Sequence, residues 1–173
     1  VVVVVIEHYT LDMNQTSDMK NEQWLVKTNR RWSADVMGCF PTPEPEWKRK
    51  RPDNCYEMTN YINKANLKGD ICEFGVAKGG CSLAIALTER LLNNELKKNI
   101  FLFDSFAGLP APNKEKDFDN KGSIGKAMFP LREGSLDSKM EEVQDLFYNK
   151  YDFPKDKIIF VKGFFEETAQ NYK

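Results

Sequence analysis

The chain has 173 residues, of which 41% are hydrophobic and 29% charged, and its formal net charge is -1. This length suits one domain with an apolar core and an appended arm. The small net charge gives no reason to expect a nucleic-acid or anionic-membrane partner, and no apolar run reaches the length of a membrane span.

Residues 1–54 show little periodicity, and we interpret them as an N-terminal arm. Residues 1–6 are apolar but too short for a signal-peptide core, and they suit at most a strand. Residues 41–52 are rich in proline and basic side chains, and because proline removes backbone donors they predict an extended connector. The basic residues 48–51 are interpreted as a solvated link, with a targeting or nucleic-acid patch as the alternative. The predicted domain occupies residues 55–173.

The domain begins with a predicted helix, because apolar residues recur every three or four positions at Met58, Tyr61, Ile62 and Ala65. A turn then leads into a short apolar strand at residues 71–74. The glycine-rich turn after this strand opens into a second helix. That helix is marked by an apolar stripe made of Leu83, Ala84, Leu87, Leu91 and Leu92.

The glycine-rich turn reads Glu73-x-Gly75-x-x-x-Gly79-Gly80, which departs from both the G-x-G-x-x-G dinucleotide pattern and the lysine-bearing P-loop. Glycines allow a backbone to approach a ligand, and the helix that follows presents unpaired N–H groups. The acid before the first glycine suits a ligand with a cationic amino-acid end, because a carboxylate can bind an ammonium group or organise the loop. A tight strand-to-helix turn that binds nothing is the alternative.

Residues 100–103 form a continuous apolar run, which predicts a buried parallel strand that ends at Asp104. A carboxylate only accepts hydrogen bonds, so Asp104 is suited to the two donors of a ribose diol at the end of such a strand. An acid that caps a turn is the alternative interpretation. Residues 110–132 are polar and long for a connection, and they predict either a lid over the site or a disordered loop.

The last part of the chain adds one more helix and one more strand. Ser138 and Glu141 fit a capping box, Pro154 ends the helix, and residues 158–161 form the third strand. The helix carries an apolar stripe made of Leu136, Met140, Val143 and Phe147. The alternation of strands and helices predicts a parallel α/β sheet whose three strands lie side by side in the order 3-2-1.

The cysteines, Cys39, Cys55, Cys72 and Cys81, lack C-x-x-C spacing, so neither a zinc site nor a disulfide framework is predicted. This pattern favours a reducing, cytoplasmic setting. Cys81 lies at a predicted helix N-terminus, where a thiolate would be favoured and the side chain reactive. A small residue packed behind the loop is the other interpretation.

Three segments of the chain carry specific motifs. They are Asp70-x-x-Glu73-x-Gly75-Val76-x-x-Gly79-Gly80, Asp104-Ser105-Phe106-x-Gly108-Leu109-Pro110, and residues 158–168, which contain Gly163-Phe164. Together they resemble the macrocin O-methyltransferase (TylF/MycF-like) family of S-adenosylmethionine-dependent sugar O-methyltransferases. The resemblance covers residues 70–168, and Glu167 stands where the family usually has aspartate.

The resemblance implies a Rossmann-like class I methyltransferase fold, of which we expect only the N-terminal half to be present. It also implies a cofactor site for S-adenosylmethionine. Asp104 would hold the ribose hydroxyls with Ser105 and Phe106 beside it, while Gly163 and Phe164 would lie near the adenine. The methionine and ribose side would be lined by Glu73, Gly75, Val76, Gly79 and Gly80.

The expected function is therefore S-adenosylmethionine-dependent O-methylation of a sugar or another small hydroxylated metabolite. In the resembled family a magnesium ion binds the acceptor hydroxyls, and its ligands are expected outside residues 1–173. No catalytic residue or metal ligand is assigned here. Three strands would leave the first strand with an open edge, which is prone to association and suits a homo-oligomer. A non-catalytic module that binds a partner through this edge is the alternative, and a nicotinamide-dependent dehydrogenase is disfavoured by the loop spacing.

Overall fold

The structure is a computed structural model that describes residues 2–5, 35–36, 46–113 and 133–171. Strands and helices alternate along most of this sequence. The helix Met140–Asp145 continues into a π-helical turn, Leu146–Lys150, and the helix Phe165–Thr168 continues into a 3-10 turn, Ala169–Asn171. The elements in chain order are β1 (Val2–Val5), α1 (Glu46–Lys64), β2 (Ile71–Phe74), α2 (Gly80–Asn93), β3 (Ile100–Asp104), α3 (Met140–Asp145), β4 (Ile158–Lys162) and α4 (Phe165–Thr168).

The sheet contains four strands in the order β1-β2-β3-β4. Strands β2, β3 and β4 are parallel neighbours, with Ile71 opposite Ile100 and Ile100 opposite Ile158. The predicted parallel α/β sheet and the adjacency of its three strands are therefore confirmed. Strand β1 pairs antiparallel with β2, so that Val2 lies opposite Phe74.

Strand β1 corrects the prediction of an open edge. The apolar segment at the start of the chain forms a strand and occupies the free side of β2. An unpaired strand edge exposes a row of N–H and C=O groups, and pairing with β1 removes that row from β2. The prediction counted only the strands of the α/β repeat, and nothing in the local pattern of residues 1–6 identified their partner.

The two faces of the sheet are both apolar, as parallel strands covered on both sides require. Because side chains alternate along a strand, Ile100 and Leu102 contribute to the main core, while Phe103 belongs to a second cluster on the other face. The main core also receives side chains from α2 and α3. Its fully buried members include Leu83, Ile85, Phe147 and Ile158.

Helix α1 corrects the predicted extended connector from residue 46 onward. The helix begins at Glu46 and contains Pro52, so the division between residues 54 and 55 falls inside it. Proline lacks the N–H that would bond four residues back, which is why the sequence predicted no helix here. Pro52 is buried and α1 packs along α2, and such tertiary packing supplies most of a helix's stability in a protein.

The apolar faces of two helices differ from their predicted stripes. On α1, Met58 is 41% exposed, whereas Cys55, Thr59 and Ile62 are buried. Before α3, Leu136 is 63% exposed and lies outside the helix. The predicted capping box is wrong as well, because Lys139 is the N-cap and makes no side-chain cap hydrogen bond. The helix does end before Pro154, at the turn that closes with Lys150.

Residues of the presumed arm join the core of the domain. Val36 is fully buried in the main cluster, next in sequence to Asp35. The Asp35 carboxylate accepts hydrogen bonds from the Lys150 ammonium at 2.6 Å and the Tyr151 hydroxyl at 2.7 Å. The Lys150 and Tyr151 hydrogen bonds lower the pKa of Asp35, which burial opposes. This part of residues 1–54 is therefore held by the domain.

The predicted lid is described by the structure only at its ends. The proposed lid at residues 110–132 lies, from residue 114 onward, outside the described residues. Its two ends are joined, because the Leu109 N–H donates to the Ser135 carbonyl at 2.8 Å and the Gly134 N–H donates to the Leu109 carbonyl at 2.9 Å.

Within the described ranges, none of the helices combines the length and the apolar character needed to cross a bilayer.

Candidate functional site

The predicted acids lie at the same edge of the sheet. Glu73 is the third residue of β2, and Asp104 is the last residue of β3, the parallel neighbour of β2. Glu73 lies opposite Leu102, and side chains two positions apart share a face, so both acids point to the face that carries the main core. This confirms the expected placement at the carboxyl edge, where open α/β sheets bind their ligands.

The Asp104 carboxylate organises the glycine-rich turn. One of its oxygens, Oδ2, accepts hydrogen bonds from the backbone N–H groups of Val76 at 2.8 Å and Ala77 at 2.9 Å. The other, Oδ1, accepts one from the N–H of Phe106 at 2.8 Å. A carboxylate has about four acceptor positions, so these contacts leave capacity for a further donor on Oδ1. Asp104 thus ties β3 to the turn after β2.

The residues after Asp104 form a tight turn. The Ser105 hydroxyl donates to the Gly108 carbonyl at 3.0 Å, and the Ala107 N–H donates to that hydroxyl at 3.3 Å. Phe106 adopts a positive φ of 51° and is only 7% exposed. Its ring packs on Phe160, with 5.9 Å between the ring centroids. Phe106 therefore belongs to the core under the site, and Ser105 stabilises the turn.

The turn after β4 lies beside Asp104. The Gly163 N–H donates to the Asp104 backbone carbonyl at 3.0 Å, and Gly163 has a φ of 146°. Phe164 follows with 43% of its surface exposed. Phe165 packs edge-on against Phe74, with 5.4 Å between the ring centroids. The ends of all three parallel strands are therefore brought together at this edge.

Gly75 and Gly79 both adopt a left-handed backbone conformation, but open space lies beside the first and packed side chains lie beside the second. At Gly75, with a φ of 89°, an added Cβ would meet no atom within 4 Å. At Gly79, with a φ of 82°, an added Cβ would lie 2.9 Å from Val143 Cγ1 and 3.2 Å from Phe147 Cε2. Gly75 is exposed and Gly79 is buried. Gly79 is thus needed for close packing of α3 under the loop, a reason that the sequence analysis did not foresee.

Glu73 is enclosed beneath the loop. Its side chain is 1% exposed, and it accepts a hydrogen bond from the Ser82 hydroxyl in the first turn of α2. Burial, followed by the nearby Cys81, raises the pKa of Glu73 to about 8, and the Ser82 hydrogen bond acts in the opposite direction. At neutral pH Glu73 is therefore mainly uncharged. Of the two roles predicted for it, this geometry is that of a residue that organises the loop.

The predicted site residues divide into an exposed group and a buried group. Gly75 and Phe164 are exposed, and Asp104, Ser105 and Gly163 are half-buried. The buried group consists of Glu73, Val76, Gly79, Gly80 and Phe106. Two residues of the site were not predicted from the sequence: Ala77, whose N–H donates to Asp104, and Ser82, whose hydroxyl donates to Glu73. Ala77 stands inside the glycine-rich motif, but its positive φ of 48° has no sequence signal. Ser82 lies two residues after the end of that motif.

The fold of this chain is similar to that of a known protein structure. The O-methyltransferase NovP superimposes with a TM-score of 0.54 and 26% identity over 69% of this chain and 47% of its own. The calicheamicin methyltransferase CalS11 covers 96% of this chain and 67% of its own, with a TM-score of 0.47 and 18% identity. The chain spans about half the length of NovP. A search of curated protein sequences finds no match.

The family comparison covers almost the entire sequence. The family described as macrocin O-methyltransferase (TylF) matches residues 7–173. This range includes the glycine-rich turn, the turn after Asp104 and the turn after β4, which are the segments that meet at the carboxyl edge. The chain belongs to the macrocin O-methyltransferase (TylF) family.

Proposed function

We propose that the protein is an S-adenosylmethionine-dependent O-methyltransferase and that the carboxyl edge of its sheet binds the cofactor. Membership of the macrocin O-methyltransferase family and the likeness to the O-methyltransferase NovP support this proposal. We further propose a small hydroxylated acceptor, such as a sugar, and a cytoplasmic setting. Because β1 occupies the edge that the sequence analysis left open, that edge no longer argues for the alternative of a partner-binding module.

The observation that carries the proposal is the combination of Asp104 with Gly75. Asp104 has acceptor capacity left on Oδ1, which suits a ribose hydroxyl. Gly75, directly after β2, presents bare backbone to open space at the same edge of the sheet. We assign Gly163 and the exposed ring of Phe164 to the adenine end, because the turn after β4 is bonded to the backbone of Asp104.

The buried residues of the loop act indirectly. We propose that Glu73 holds the start of α2 through Ser82, and that Val76, Gly79, Gly80 and Phe106 shape the loop from below. Ser105 would keep the turn after Asp104 in place. When bound, S-adenosylmethionine supplies a methyl group that its sulfonium makes electrophilic. The acceptor must be aligned with that group and lose a proton, and no described residue is assigned to these tasks.

The resemblance to the macrocin O-methyltransferase family implies a magnesium ion, for which the described residues would have to supply ligands. Over residues 46–113, 133–171 and the two short N-terminal segments, no cluster of three or more histidine, cysteine or acidic side chains could hold a metal ion. Asp104 is already engaged by backbone N–H groups of Val76, Ala77 and Phe106. The described residues therefore do not fit a magnesium site.

Replacing Asp104 by alanine tests the proposed cofactor site. We expect the affinity for S-adenosylhomocysteine, measured by isothermal titration calorimetry, to fall about tenfold to a hundredfold, because a charge-assisted hydrogen bond of roughly 1–3 kcal/mol is lost. The change also removes hydrogen bonds that hold the loop. Stability must therefore be measured beside affinity.

Asp70 offers a matched control at the opposite edge of the sheet. Its carboxylate accepts hydrogen bonds from the Asn99 backbone N–H at 2.9 Å and the Asn99 side-chain amide at 3.1 Å. Asp70→Ala therefore removes a comparable structural contact next to the amino ends of β2 and β3. We expect Asp70→Ala to lose stability but to keep its affinity for S-adenosylhomocysteine. Equal affinities of the Asp104→Ala and wild-type proteins would place the cofactor elsewhere.

A further inference from the structure

Two buried cysteines meet where helices α1 and α2 pack together. Cys55 is 5% exposed and Cys81 is 4% exposed, and both belong to the main core. The Cys55 and Cys81 side chains interact, and each shifts the pKa of the other thiol. Asn63 near the end of α1 hydrogen-bonds Glu89 and Asn93 near the end of α2, so the two helices run in the same direction. Asn63 and Glu89 are 26 positions apart in sequence, as are Cys55 and Cys81, so this contact places the two cysteines side by side. Both cysteines are reduced in the structure.

The two thiols have different chemical surroundings. Cys81 is the second residue of α2 and follows directly after Gly79 and Gly80. The interaction with Cys55 lowers the pKa of Cys81 and the charge of Arg51 lowers it further, although burial acts against both. The position in the first turn of a helix also favours a thiolate. The same interaction, together with burial, raises the pKa of Cys55. Cys81 is therefore the nucleophile of the pair, and Cys55 is the thiol beside it.

We propose that Cys55 and Cys81 form a redox-active thiol pair that a hydroperoxide converts to a disulfide, tying α1 to the first turn of α2 behind the glycine-rich turn. This would be a modification site separate from the cofactor site proposed at Gly75, Asp104 and Phe164. The bond would join one helix to the segment that begins immediately after Gly79. It requires no partner protein and no cofactor.

Conversion of the two thiols to a disulfide requires a hydroperoxide as the only added reagent. The Cys81 thiolate attacks the terminal peroxide oxygen, the O–O bond breaks, and the products are a Cys81 sulfenic acid and the alcohol, or water when the reagent is hydrogen peroxide. The Cys55 sulfur then attacks the Cys81 sulfur, so that the S–O bond breaks and water leaves with the Cys55 proton. The two thiols are oxidised by two electrons and the peroxide is reduced by two.

Mass spectrometry of the whole chain tests this proposal directly. A Cys39→Ser background removes the cysteine that lies outside the described residues. After treatment with one equivalent of hydrogen peroxide, we expect the intact mass to fall by two hydrogens, and digestion without reductant to join the peptides of Cys55 and Cys81. Cys72 serves as an internal control, because it is buried on the other face of the sheet and burial raises the pKa of its thiol. We expect it to remain a free thiol.

Single variants then separate the two roles. In Cys55→Ser, Cys81 lacks its partner, so a dimedone adduct should form on Cys81. In Cys81→Ser, Cys55 should stay unmodified under the same treatment. A disulfide that joins Cys72, the absence of any mass change in the Cys39→Ser protein, or oxidation of Cys55 without Cys81 would each overturn the proposal. The peptide map of the Cys39→Ser protein decides the question even where a serine variant fails to fold.

Discussion

Replacing Gly79 by alanine is expected to lower the free energy of unfolding by about 3 kcal/mol, from a strained left-handed backbone together with overpacking. The added Cβ would lie 2.9 Å from Val143 Cγ1 and 3.2 Å from Phe147 Cε2, where the core must shift to receive it. Gly75→Ala carries a similar φ penalty but meets no atom within 4 Å. Denaturant unfolding of the two variants should therefore show the larger loss at Gly79.

For the affinity of ligand binding we expect the larger effect at Gly75 rather than at Gly79. If the cofactor lies against the exposed backbone at Gly75, the Gly75→Ala side chain occupies its space, and the affinity for S-adenosylhomocysteine should fall about tenfold or more. Gly134→Ala is a matched control, since Gly134 also has a left-handed φ, 76°, and its Cβ would also meet nothing within 4 Å. It should retain affinity. Comparable affinities of Gly75→Ala and Gly134→Ala would contradict the assignment.

A double-mutant cycle isolates the packing contribution at Gly79. Val143→Ala removes the atom nearest to the added Cβ, so Gly79→Ala should cost less stability in that background than in the wild type. Additive losses would show that crowding by Val143 contributes nothing, which would leave backbone strain and the Phe147 contact as the causes. This design separates crowding by Val143 from strain, because strain at φ 82° is the same in both backgrounds.

The second large effect concerns pH and Glu73. Its pKa is raised from 4.5 to about 8 in the folded protein, chiefly by burial. Between these values the folded chain holds a proton that the unfolded chain has released, so stability must fall as the pH rises through this range and level off above it. Each unit of pKa difference corresponds to about 1.4 kcal/mol, which makes the total fall on the order of several kcal/mol.

Glu73→Gln should remove most of this pH dependence, because an amide of similar shape does not ionise. Denaturant unfolding at about pH 5 and about pH 9 would measure the slope, and the variant should be more stable than the wild type only at the higher pH. Glu141→Gln, which changes an exposed glutamate on α3, controls for the loss of one carboxylate. If the wild type and Glu73→Gln lose the same free energy over this range, Glu73 is not the group responsible.

Much of the fold could be predicted from local patterns. Strands β3 and β4 begin as continuous apolar runs, β2 is apolar except for Glu73, and α2 carries an apolar stripe, so the order of elements and the adjacency of the parallel strands followed directly. The placement of Glu73 and Asp104 at one edge followed from the same reasoning, because parallel strands present their carboxyl ends together. These are properties of period and chain direction, which the sequence contains.

Other features depended on contacts between distant segments. Pro52 lies within a helix because α1 packs along α2, and the edge of β2 is closed by a strand from the start of the chain. Neither partner is visible in a local pattern. The predicted stripe of α1 failed for the same reason, since Met58 has the right spacing for a core residue but faces outward.

The sequence by itself determined that this protein has a parallel α/β sheet with a glycine-rich turn and an acid at neighbouring strand ends. Only the tertiary structure decided which side of that turn is open. Gly75 and Gly79 share a motif and a left-handed backbone, yet one faces open space and the other faces Val143, more than sixty positions away in sequence. Positive φ is a local property that glycine satisfies, whereas the direction of a missing Cβ acquires meaning only from what packs against it.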